Sequence, residues 1–232
     1  MSDALTAVVD QSAAAIGSLE IDLKGTGENA WQAFRALRQV TTSLPSVGET
    51  AAASIARIRQ GQDGSLPPEG VSLEAHRSTQ VSQVHGDAST IIEKMRQASY
   101  AAADQLENAL HDSIIPVPAR DPGERMLRRD ELKSVLLGAK GAALVQKMLN
   151  TIGMNSAYDA ELLGDAGRAL LAADGMGDEW NNFKRAAVSK LALQPGGTER
   201  QQAAKAALNA FHQRNVRGRI SAFHQAAKQR LS

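Results

Sequence analysis

Between Ser72 and Asp112 the chain has no proline and a single glycine, Gly86, and its apolar residues recur in a heptad frame. Val81, Val84, Ala88, Ile91, Met95, Ala98, Ala102 and Ala109 fall at the a and d positions, and Ile92, Leu106 and Leu110 widen the stripe to a second face. A helix of about 40 residues extends about 60 Å at 1.5 Å per residue. Such a helix cannot bury its stripe against itself, so other helices of the chain or another copy must cover it. Val81, Val84, Ala88, Ile91, Met95, Ala98, Ala102 and Leu106 are therefore the expected helix–helix interface.

The remainder of the chain also reads as helix. Aromatic residues make up only 3% of the 232 residues, while alanine is abundant. Alanine has the highest helix propensity, whereas strands favour aromatic and β-branched residues. No segment alternates apolar and polar residues between hairpin turns. The predicted fold is all-α: a multi-helix bundle with one long central helix and helical hairpins on either side.

Punctuation divides the chain into an N-terminal helical region (1–60), a linker (61–70), the long amphipathic helix (71–113), a helical hairpin region (114–197) and a basic C-terminal helix (198–232). Ser2 is the expected cap of a first helix reaching about Lys24, with Leu5, Val9, Ser12, Ile16, Leu19 and Leu23 as its stripe. A second helix, about Glu28–Thr42, is expected to end before Pro45, and a third to occupy Val47–Gln60. The tract Gly61–Gly70 is polar and contains Pro67-Pro68, which marks a linker. Asp121-Pro122-Gly123-Glu124 has the residues of a helix start, with Met126, Leu127, Leu132, Val135 and Leu136 as the apolar face.

Leu136–Val145 resembles Leu162–Leu171, 26 residues later, in the placement of Leu, Gly and Ala. The match is either a duplication or a coincidence in a Leu/Ala/Gly-rich chain. In the final segment the stripe slips between Phe211 and Val216, which predicts a kink near Gly218 or two shorter helices.

Several chemistries are excluded or weak. With no cysteine, the chain offers no disulfide, thiolate metal site or cysteine nucleophile. Gly25-Thr-Gly27-Glu-Asn-Ala30 matches a loose dinucleotide fingerprint, but no second buried strand follows it. Asp174–Glu179 has calcium-loop spacing without the Gly and the distal Glu such a loop needs. The five histidines never pair at helical spacing, and the repeated Ala-Phe-His-Gln at 210–213 and 222–225 sets two of them twelve residues apart. No catalytic, cofactor-binding or metal-ligating residue is assigned, and a non-enzyme is expected.

Net charge is +1 but unevenly distributed. Gly61–Ser113 has three basic and eight acidic residues, and Gly177–Ser232 has ten basic and three acidic. Arg200, Arg214, Arg217 and Lys228 fall on about one helical face, with Arg219 and Arg230 nearby. These six are the candidate phosphate- or partner-binding residues. No aromatic lies on that face, so a nucleic-acid contact there would be to the backbone and blind to sequence.

The expected function is that of a structural or assembly subunit making protein–protein contacts, as a homo-oligomer or in a larger complex such as a virion or secretion apparatus. Nucleic-acid association ranks behind it. No apolar run reaches the roughly 20 residues that span a bilayer, and the N-terminus lacks the pattern of a secretory signal. The expected location is the cytoplasm or a particle assembled there.

Overall fold

The computed structural model describes the backbone of residues 2–231 and the side chains of residues 5–231. The expected Ser2 cap lies outside the described side chains. The chain is all-α, and its elements in order are α1 (Ser2–Gly17), α2 (Leu19–Asp22), α3 (Glu28–Gln60), α4 (Leu73–Ile114), α5 (Pro122–Leu136), α6 (Gly141–Thr151), α7 (Ser156–Leu162), α8 (Asp165–Ala173), a 3-10 turn (Gly177–Glu179), α9 (Trp180–Leu193), α10 (Glu199–Gln213) and α11 (Val216–Gln229). These elements form two compact units. Unit 1 comprises Met1–Leu23, Glu28–Glu107 and Asn209–Ser232, and unit 2 comprises Lys24–Gly27 and Asn108–Leu208.

In unit 1, α4 packs against α3, α11 and the last turn of α10. Its 42 residues form one unbroken helix, started by the Ser72 hydroxyl, which accepts from the Ala75 N–H at 3.2 Å. The buried line on α4 runs through Ala88, Ile92, Ser99, Ala103 and Leu106 in unit 1, and Leu110 and Ile114 of the same helix are buried in unit 2. Of the expected interface, Ala88, Ala102 and Leu106 are buried, Val81, Val84 and Met95 are half-buried, and Ile91 and Ala98 are exposed. Ile91 is exposed while Ile92 beside it is buried, so side-chain size does not choose the face; the helices that cover α4 do, since apolar surface gains only where a partner removes it from water.

Pro45 does not end a helix. α3 runs through it for 33 residues and merges the two helices expected there. Pro45 is itself buried, in a run with Leu37, Leu44, Gly48 and Ala51, and that packing outweighs the missing N–H. Upstream, the hydroxyls of Thr41, Thr42 and Ser43 each donate to the carbonyl four residues back, at 2.7, 2.7 and 2.8 Å. Such back-bonding accommodates a disturbed turn. Gly48 lets α3 approach α11 closely, since a β-carbon there would lie 2.6 Å from the Ala227 carbonyl oxygen.

The first helix stops earlier than expected. α1 ends at Gly17, where the Ser18 hydroxyl donates to the Ala15 carbonyl at 3.0 Å. The short α2 then keeps Leu19 buried, and Leu23 is buried just after it. The stripe is continuous although the helix is not, because burial needs only that these side chains face inward. The C-terminal slip resolves as two helices. Asn215 takes a left-handed conformation (φ 48°) and its side chain accepts from the Gly218 N–H, capping α11.

Unit 2 consists of short helices joined by tight turns. Asp121 caps α5 by accepting from the Gly123 N–H at 2.9 Å. α5 buries Leu132 and Leu136 but exposes Met126, Leu127 and Val135, contrary to the expected face. Neighbouring α7 pairs Glu161 with Arg125 and Arg129, so α5 turns its charged side inward instead. The two similar segments join α5 to α6 and α7 to α8, but their glycines act differently. Gly138 and Gly141 have positive φ, whereas Gly167 lies within α8 against the Leu162 carbonyl, where a β-carbon would overlap the oxygen.

Candidate interaction surfaces

The C-terminal cations are largely occupied within unit 1. Arg217 on α11 reaches Asp104 and Glu107 on α4 at 2.6 and 2.7 Å. Arg214 pairs with Asp22, and Arg230 with Glu49. His212 lies 3.5 Å from Glu107, and His224 3.7 Å from Glu93. The bipolar charge of the sequence is thus partly neutralised by α11 lying along α4. Burial, then the charges of Lys228 and Arg96, lower the His224 pKa, and Glu93 opposes them. In unit 2, Arg200 approaches the Ser113 hydroxyl at 3.4 Å, and Lys184 pairs with Asp112 at 2.9 Å. Among the described residues Arg219 and Lys228 make no ion pair, although the Lys228 charge acts on Glu93 and His224. The six cations of the sequence reading therefore do not form one free basic face.

Two buried carboxylates in unit 2 were not singled out from sequence. Glu161 is only 3% exposed and accepts from Arg125 Nε at 2.9 Å and Arg129 Nε at 2.7 Å. Burial pushes its pKa up, but the two arginine hydrogen bonds outweigh that and hold it below the usual glutamate range. Asp159, two residues earlier, accepts from the Gly153 N–H at 2.8 Å. Burial raises its pKa, only partly offset by that bond and by Lys190. The sequence held one clue: Arg125 and Arg129 sit one helical turn apart with no glutamate on the same face to satisfy both.

Asp159 borders a cleft of about 160 Å³ whose lining includes Asn155, Gln194, Gln201 and Lys205. The cleft is already internally bonded. Lys205 Nζ donates to the Gln194 and Gly196 carbonyls at 2.9 and 3.1 Å, and Gln201 Nε2 donates to the Ile114 carbonyl at 2.9 Å. Its polar side chains staple turns together.

The weak motifs also have structural roles. Gly25–Ala30 lies in the turn into α3, with Gly25 and Gly27 at positive φ. Asp174 accepts from the Gly141 N–H, which satisfies a donor at the start of α6. Among the described residues no group of three or more His, Cys, Asp or Glu is placed to hold a metal ion. None of the described helices is long and apolar enough to cross a membrane.

Exposed apolar side chains form the other class of surface. On α5, Met126 is 68% exposed and Leu127 57%, and Leu137 just beyond its end is 80% exposed. At the α3–α4 connection, Leu66, Val71 and Leu73 are exposed. A groove of about 630 Å³ beside that connection is lined by Arg59, Leu73, Glu74, Arg77, Ser78 and Val81. No family model, no curated protein and no solved structure matches this chain.

Proposed function

We propose that the chain is a non-enzymatic structural or assembly protein, an α-helical subunit making protein–protein contacts within a larger complex such as a virion or secretion apparatus. The observation that carries this reading is the exposed apolar face of α5. Met126 and Leu127 stand in water on a helix whose other side already buries Leu132 and Leu136. Exposed apolar groups clustered on one element mark contact surfaces, since their burial against a partner is favourable. The test is native mass spectrometry of the protein gently purified from its source. A complex of defined stoichiometry is expected, lost when Met126 and Leu127 are both replaced by serine while helix content is unchanged. A strict monomer in that extract overturns the reading.

A second reading, phosphate-backbone binding to nucleic acid, is favoured only by Arg219 and Lys228, the α11 cations without an ion pair among the described residues. Two phosphate contacts give a log–log salt slope of about −2 on duplex DNA, against about −5 for all six cations. Charge reversal at both positions tests this better than truncation, because α10 and α11 supply the core residues Phe211 and Phe223. Absence of retention on DNA at low salt ends this reading.

A further inference from the structure

The connected end of the α3–α4 hairpin presents a projection beside a recess. The connecting segment leaves α3 at Gly61 and turns at Gly64 and Gly70, all with positive φ. Ser65 pins it, its hydroxyl donating to the Asp63 carboxylate and lying 3.1 Å from the Gln80 side-chain amide of α4. Directly after this pin Leu66 is 86% exposed, and Pro67-Pro68 follows it. Proline fixes φ, so Leu66 is presented by a restrained backbone, which lowers the ordering cost of association. Burying such a side chain gains roughly 1.5–3 kcal/mol.

The groove alongside has Leu73 and Val81 as its apolar lining and Arg59, Arg77 and Glu74 as its charged groups, and Arg77 already faces the connecting segment, lying against Gly61 with its charge acting on Asp63. Arg59 is exposed and, among the described residues, forms no ion pair or side-chain hydrogen bond. The projection has the opposite charge. Asp63 and Glu69 are exposed on either side of Leu66; Asp63 is held by Ser65 and by the charge of Arg77, while Glu69 has no partner among the described residues. One patch thus holds an apolar knob beside one unpaired acid, Glu69, and an apolar recess beside one unpaired cation, Arg59. A two-fold axis satisfies both at once, because an isologous interface joins a patch to itself.

The geometry points to a tip-to-tip dimer of this chain, in which Leu66 of each copy seats between Leu73 and Val81 of the other and Glu69 of each faces Arg59 of the other. This deepens the assembly reading by naming one partner, a second copy, and the segment that meets it. The C-terminal cations do not supply this contact, since Arg214, Arg217 and Arg230 already pair within unit 1. A contact confined to a hairpin tip falls in the small, transient class of interface, below about 1,200 Å².

Sedimentation velocity of the purified full chain at low salt tests the dimer, from roughly 1 µM to roughly 100 µM, where small interfaces associate. A concentration-dependent dimer is expected. Leu66→Asp weakens it at least about tenfold, Arg59→Glu weakens it, and adding Glu69→Arg to Arg59→Glu restores it. All three side chains are exposed, so circular dichroism should be unchanged in every variant. A monomer throughout the range, a dimer indifferent to Leu66→Asp, or a double variant no tighter than Arg59→Glu each overturns the proposal. A chain that is monomeric alone but complexed in its source extract sinks the dimer and leaves the assembly reading standing.

Discussion

Unit 1 is built around the 33-residue α3 and most of the 42-residue α4, whereas unit 2 is built from helices of 7 to 15 residues, the end of α4 and most of α10. The long helices bury lines of aliphatic side chains, and their ion pairs, such as those of Arg217, are partly exposed. The short helices bury charge. Glu161 holds two arginines of α5 from α7, and Asp159 closes the turn at Gly153. A seven-residue helix such as α7 has too few side chains to be amphipathic and buries four consecutive residues, Asp159 to Leu162. Its polar groups must then be satisfied inside the protein. Periodic apolar surface stabilises unit 1, and specific polar staples organise unit 2.

Each unit has one tryptophan, Trp31 in unit 1 and Trp180 in unit 2, so single-tryptophan variants report on them separately. The largest effect is expected from Phe34→Ala, which empties a fully buried site on α3. It should cost about 3–5 kcal/mol in urea unfolding followed at Trp31. A loss below about 1 kcal/mol would remove the apolar core as the main support of unit 1.

Next come the two close-approach glycines. Gly48→Ala forces α3 from the Ala227 carbonyl, and Gly167→Ala forces α8 from the Leu162 carbonyl. Each should cost about 1–3 kcal/mol, the usual penalty of overpacking, with Gly167→Ala read at Trp180. Equal stability of either variant and the parent would show that helix spacing there is adjustable.

Glu161→Gln should cost about 2 kcal/mol at neutral pH, because it leaves two arginines without their anion. The pH dependence gives the sharper contrast. Glu161 has a lowered pKa in the fold, so its contribution is present above the unfolded value and lost as pH falls through the folded one. The parent should lose more stability than Glu161→Gln on acidification from about pH 5 to about pH 3. Asp159 has the opposite sign. Its raised pKa means the fold takes up a proton, so stability declines as pH rises from the unfolded value toward the folded one. Asp159→Asn, which retains an acceptor for the Gly153 N–H, should be stabilising or neutral at pH 7, by under about 1 kcal/mol. Parallel acid profiles for both variants would refute the distinction between these neighbouring carboxylates.

The smallest effect belongs to the rim of unit 1. A double-mutant cycle on Arg230 and Glu49 should give a coupling of about 0.2–1 kcal/mol that fades with salt. A salt-independent coupling above about 2 kcal/mol would make ion pairs as important in unit 1 as in unit 2.

Much of unit 1 could be read from the chain, because heptads, prolines and glycines act locally. The α4 span and the break between α10 and α11 follow from stripe continuity and the five-residue slip at Phe211–Val216. Pro45 misled because the local cost of an interior proline is visible in sequence, whereas the packing of Leu44, Gly48 and Ala51 that outweighs it is not. In unit 2 the α5 face was misread because Met126 and Leu127 are apolar, yet the partners of Arg125 and Arg129 lie more than 30 residues away on α7. The candidate cations were identified correctly as cations, but their pairing with acids as distant as Asp22 and Glu49 has no sequence signature.

Helix content, the single long amphipathic helix and the excluded thiol chemistry were decided by sequence alone, since propensity, periodicity and residue type are properties of short stretches. Tertiary structure decided which side of α4 is buried, which arginines remain unpaired, and that Glu161 and Asp159 sit inside the protein with opposite pKa shifts. Burial and pairing depend on residues far apart in the chain, and no local pattern records which of many apolar or charged groups the fold will bring together.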